Sequence, residues 1–96
     1  MNTLLFKLLT GEFVIAEMKS ETDTQYQLKN PAVIVLPKDA AFQQVYLAPF
    51  IPLSQAENVS MNKSSVVAVV DADEQLVKQY NKIFGSGIII AQNMPN

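Results

Sequence analysis

The chain has 96 residues, about half of them apolar, with seven basic against nine acidic side chains and a net charge of -2. It holds no cysteine and no histidine, which excludes a disulfide framework, thiolate chemistry, the commonest general base and the commonest metal ligand. All seven basic residues are lysines, so the guanidinium fork that grips phosphates and guanine edges is missing, and composition speaks against a strong, sequence-general nucleic-acid binder.

This length suits one domain, expected to span 1–96 with strands over about 3–70, a helix over about 72–84 and an apolar tail over 86–92. Residues 3–9 are leucine-rich, with Phe6 and Lys7, and could alone make a turn of helix. Thr10-Gly11-Glu12 then signals a reversal, because Gly11 takes positive φ cheaply. FVIAEMK, residues 13–19, completes a hairpin. SETDT, residues 20–24, is a polar connection.

Residues 25–36 alternate at Gln25-Tyr26-Gln27-Leu28-Lys29 and then turn continuously apolar. One long strand is expected, half exposed at first and buried later, with Pro31 marking a bend, bulge or edge. A turn over 37–41 leads to a strand over 43–53, with Val45, Leu47 and Ile51 on one side. Pro49 and Pro52 confine it to an edge or force it to bend. A loop over 54–57, a short strand over 59–61 and a turn over 62–65 follow. VVAVV, residues 66–70, has the β-branched content of a buried strand.

One helix follows the strands. Asp71 is placed to cap it, with Glu74 as capping-box partner. Leu76, Val77, Tyr80, Ile83 and Phe84 fall at helical spacing and form a stripe for core or interface packing, and Gly85 is a natural stop. Ile88-Ile89-Ile90 reads as an edge strand or a tail that pairs with a neighbour, and residues 94–96 should fray. The expected fold is mainly β, a small, strongly bent five-stranded antiparallel sheet or open barrel with a C-terminal helix. No apolar run approaches ~18 residues, and the start lacks a basic segment and a small-residue cleavage site, so a soluble cytoplasmic protein without a membrane segment is expected.

LLTGEFVIAEMKSETDTQYQLKNP resembles the first motif of the Sm-like (LSm) family. Gly11 matches the turn glycine, Ala16 the small residue that lets the second strand bend, and Leu28 the closing leucine. Glu21 or Asp23 stands near the loop aspartate, and Gln25 replaces an asparagine. MNKSSVVAVV, residues 61–70, has the spacing of the second motif, with Asn62 and Lys63 replacing Arg-Gly. The likeness covers roughly residues 3–70. With its helix after the last strand instead of before the first, the chain looks like the diverged Sm-like proteins of T4-like bacteriophages of cyanobacteria. A host-cell cytoplasm is the setting this implies.

The resemblance implies a ring of five to seven copies, closed by pairing unlike strand edges of neighbouring copies. It also implies RNA at pore-facing loops, which places Asp23, Gln25, Tyr26, Asn62 and Lys63 in a candidate nucleic-acid site. In that reading Tyr26 stacks on a base, Asn62 bonds a base edge or backbone, and Lys63 adds charge near the axis. The plain alternatives are that Tyr26 packs on the sheet and that Asn62-Lys63 is an ordinary turn. Lys63 in a glycine's place also requires a position without left-handed backbone, or a strained one.

The acidic residues Glu12, Glu17 and Glu21 sit at strand spacing and do not form an acid/base pair, while Asp71, Asp73 and Glu74 suit a helix N-terminus. No serine has a recognisable partner, and the three glycines, 11, 85 and 87, make no phosphate loop. No enzyme, cofactor or metal is therefore expected. The competing function is a ring used as a protein scaffold or adaptor, through the C-terminal helix and the tail. A third reading keeps the β domain as a structural module outside any ring, such as a small virion component.

Overall fold

A computed structural model of the chain describes residues 2–35, 45–51, 54 and 56–84. The expected turn over 37–41, the stop at Gly85, the tail over 86–92 and the end at 94–96 lie outside the described residues. The architecture is mainly β, a bent, unclosed antiparallel sheet with one helix at its C-terminal end.

Strands β1 (Asn2–Leu8) and β2 (Phe13–Glu21) form the hairpin. Gly11 turns it at φ 98°, and its amide donates to the Leu8 carbonyl at 2.9 Å. Strand β2 runs on through Ser20 and Glu21, so the polar connection shrinks to residues 22–24. Polarity had suggested a loop, but a strand facing water on one side tolerates polar side chains while its backbone stays paired.

Strand β3 (Gln25–Val35) is the long strand. It pairs β2 along one edge and changes partner along the other. Residues 25–29 pair β5 (Asn58–Asn62), and residues 32–35 pair β4 (Tyr46–Pro49). Between the two halves Asn30 takes φ 50°, a left-handed backbone that asparagine tolerates better than most residues, and Pro31 has no amide to offer. Opposite this bulge lies fully buried Ala16, where the β2–β3 register shifts. The sheet has six strands, two short ones sharing one edge of β3. Of the expected strand over 43–53, residues 45–51 are described, and among them Tyr46–Pro49 pairs.

A 3₁₀ turn over Lys63–Ser65 leads into β6 (Val66–Asp71), which pairs β1. This strand corrects the sequence reading. VVAVV looks like a buried strand, yet among the described residues β6 has one ladder partner, β1, and lies at the edge of the sheet, with Val67 and Val70 57% and 54% exposed. Residue type reports fitness for a pleat and not position within a sheet.

Alternation along the strands builds two apolar layers, one on each face. On the inner face Leu4, Phe6, Leu8, Val14, Ala16, Leu28 and Met61 are buried together, with Val66 and Val69 against them. Strands β5 and β6, from opposite margins of the sheet, both reach this cluster, so the sheet curls around it. On the outer face Ile15, Ala32 and Tyr80 are buried together.

The outer layer is covered by helix α1 (Glu74–Ile83). Its cap is Asp73, whose carboxylate accepts the Gln75 amide at 3.0 Å, and not Asp71. Asp71 is the last residue of β6, opposite Leu4, because the ladder with β1 outlasts the apolar run. In the helical stripe, Leu76, Tyr80 and Phe84 pack on the sheet, whereas Ile83 is 55% exposed.

Candidate functional site

Antiparallel register brings the two motif segments together. Gln25 lies opposite Asn62 and Tyr26 opposite Met61. The Lys63 amide donates to the Thr24 carbonyl at 2.8 Å, fastening the 3₁₀ turn to the β2–β3 connection. Thr22 braces that connection, since its Oγ1 accepts the Gln25 amide at 3.0 Å and the Thr24 amide at 3.3 Å. Two segments far apart in sequence, with Gln25 and Asn62 37 positions apart, thus line one mouth at the end of the sheet.

The side chains continue the juxtaposition. Gln25 Nε2 donates to Asn62 Oδ1 at 3.0 Å. Lys63 Nζ donates to Glu21 Oε2 at 2.7 Å, an ion pair between partly exposed groups. The same ammonium lies 5.2 Å from the centre of the Tyr26 ring. The hydrogen bond that Lys63 donates to Glu21 holds the ammonium above its usual pKa range, against a lowering by desolvation; the Glu21 charge, and more weakly Tyr26 and Asp23, add to the rise.

The five residues singled out in the sequence lie at the same end of the sheet. Asp23 is exposed at the tip of the connection. Gln25 and Asn62 form a paired amide bridge. Tyr26 follows the plainer alternative, because its ring packs on Phe6 with centroids 5.3 Å apart and joins the inner apolar layer. Lys63 does not have a left-handed backbone, since Asn30 alone among the described non-glycine residues has positive φ. A lysine fits the glycine's place because the 3₁₀ turn does not call for positive φ there. Sequence reasoning left Glu21 out of the site, yet it is the ion-pair partner of Lys63. The signal was available in the acid of SETDT nearest the end of β2, but its significance depends on register.

Beside the mouth lies an open, largely apolar hollow of about 470 Å³ lined by residues that include Leu8, Phe50, Ser60, Met61 and Asn62. Among the described residues no group of three acidic side chains could hold a metal ion, and no helix is long and apolar enough to cross a membrane. No known family model matches the chain. No curated protein matches it either.

Proposed function

We infer that the chain is an Sm-like protein that assembles with copies of itself into a ring of five to seven and presents the Glu21–Tyr26 and Asn62–Lys63 mouth to single-stranded RNA in the cytoplasm. The observation that carries the reading is the pair of unprotected sheet margins. Strand β6 has no proline or lysine, and its only charge is the terminal Asp71. Strand β5, NVSMN, carries no charge at all. Edge strands of lone domains are usually blunted by lysine, proline or cover; neither strand contains lysine or proline, and among the described residues no further strand pairs with either margin. On the β5 side the neighbouring edge strand β4 ends in Pro49, which steers pairing toward β5. Unlike margins that dock on each other repeat head to tail, and closure of the ring removes both free edges.

Light-scattering mass tests the assembly. The wild type should be a defined multimer at low micromolar concentration, and Val67→Lys with Val70→Lys should give a folded single chain, since both side chains are exposed. A wild type that is monomeric at every practical dilution would sink the reading. RNA then enters as the ligand of the repeated mouth, and titration of the assembled protein with short single strands at low salt tests that part.

A second reading, a ring that serves as a protein scaffold, is favoured by one feature. The site's ammonium is already spent on Glu21, so the mouth offers phosphates little free charge. Recovery of RNA with no reproducible protein partner would count against it.

A further inference from the structure

Helix α1 delivers the chain to a second hollow, away from the mouth. The Phe84 amide closes the last turn on the Tyr80 carbonyl at 2.8 Å, and the two rings lie with centroids 5.2 Å apart. Phe84 also lines an open hollow of about 200 Å³, together with Pro31, Pro49, Phe50, Ile51 and Val59. Backbone donors beside it are already engaged. The Asn30 amide donates to the Glu57 carbonyl at 2.7 Å and the Phe50 amide to the Pro31 carbonyl at 3.1 Å, while the two prolines have no amide to offer. A guest therefore gains there chiefly by apolar contact. Such surface lies uncovered at this end of the molecule, since Ile51 is 46% exposed and Ile83, the residue before Phe84, is 55% exposed.

Twelve residues, 85–96, follow Phe84, and none of them has a charged side chain. Three consecutive isoleucines, Ile88 to Ile90, come directly after Gly85-Ser86-Gly87. Glycine on both sides of Ser86 permits a reversal toward the surface the helix has just left. Four peptide steps from Phe84 to Ile88 reach up to about 13 Å, enough to enter a hollow that Phe84 itself lines. The hollow exceeds the ~150 Å³ cavity that takes up a benzene ring, so a branched side chain has room. A tether this short holds the isoleucines at roughly millimolar effective concentration, which favours them over a second copy at micromolar concentration.

We propose that the hollow beside Phe84 is the seat of the chain's own tail, with isoleucine from Ile88 to Ile90 packed against Ile51 and Phe84. Neither the ring nor RNA is needed for it. Isoleucines seated in this way are withdrawn from contact with other proteins.

Disulfide trapping in the full chain tests the seat, and the absence of native cysteine removes any background. Ile51→Cys is paired in turn with Ile88→Cys, Ile89→Cys and Ile90→Cys, because a disulfide needs Cα atoms about 4.4–6.8 Å apart and a single tail position can miss that window. At least one pair should close within a single chain about tenfold or more faster than the same tail cysteine does with Val70→Cys, on β6 at the other margin of the sheet. Bonds that form only between chains give the hollow to a second copy and overturn the proposal, as do rates no faster than the Val70→Cys control. Unfolding midpoints supply a second measurement without cysteine. The triple variant Ile88→Ser, Ile89→Ser and Ile90→Ser should lower the midpoint, and Ile51→Ala should cost clearly less in that background than in the intact chain, because its partner is gone. Fully additive shifts overturn the seat.

Discussion

Strand β3 is tied to later parts of the chain at two places, and the ties differ in kind. At its centre the Tyr80 hydroxyl donates to the carbonyls of Lys29 at 3.0 Å and Asn30 at 2.9 Å. The ring itself is fully buried between α1 and the sheet. At its start Gln25 meets Asn62 and Lys63 meets Glu21, at similar distances but in contact with water. Bond lengths do not separate the two places; solvent does. Breaking the first removes a bond to part-buried carbonyls under a fully buried ring, whereas water or a ligand can replace the second at little cost. One tie holds the fold, and the other is free to be exchanged for something else.

Four measurements break or sharpen this contrast. Tyr80→Ala should be the most damaging, at about 3–5 kcal/mol of lost stability by denaturant unfolding, because a large ring leaves a cavity beneath the helix. Tyr80→Phe keeps the ring and should lose about 1–3 kcal/mol, the cost of removing the one hydroxyl hydrogen that the carbonyls of Lys29 and Asn30 share. If it unfolded no more easily than the wild type, the hydroxyl would have no part in holding the bend.

Alkaline titration reads both ties together. Burial pushes the Tyr80 hydroxyl above its usual range, the Glu17 carboxylate adds to the rise, and the Glu17 backbone amide opposes it. Lys63 is raised by Glu21. In both cases the folded chain keeps a proton that the unfolded chain has released, so their contribution is complete below about pH 10 and is lost as pH climbs beyond it. Unfolding midpoints should hold steady through neutrality and fall above about pH 10, less steeply in Tyr80→Phe. The smallest effect is expected at the mouth. Gln25→Ala and Lys63→Ala should lower the midpoint of unfolding only slightly and leave the assembled mass unchanged while they weaken RNA binding, and a large loss of stability would make the mouth a structural joint instead.

Much of the fold was legible in local pattern. The hairpin at Gly11, the long third strand with its irregularity at Pro31, and the helical stripe through Tyr80 each follow from short-range chemistry. What escaped the sequence depends on long-range register. VVAVV carries no mark that says margin or interior, and Asp71 and Asp73 are equally plausible caps until the extent of the β1–β6 ladder decides between them. The site shows the same division. Its five residues could be named from motif positions, but the engagement of Lys63 by Glu21, 42 residues away, and of Tyr26 by Phe6 depends on pairings between strands that no local window contains.

The left-handed Asn30 gives the long strand two halves with separate clients. A fluctuation that peels β5 from residues 25–29 need not disturb β4 on residues 32–35, where α1 sits above. Amide protons of β5 should therefore exchange with deuterium earlier than those of the helix-covered half, and the mouth can breathe while the rest of the molecule stays shut.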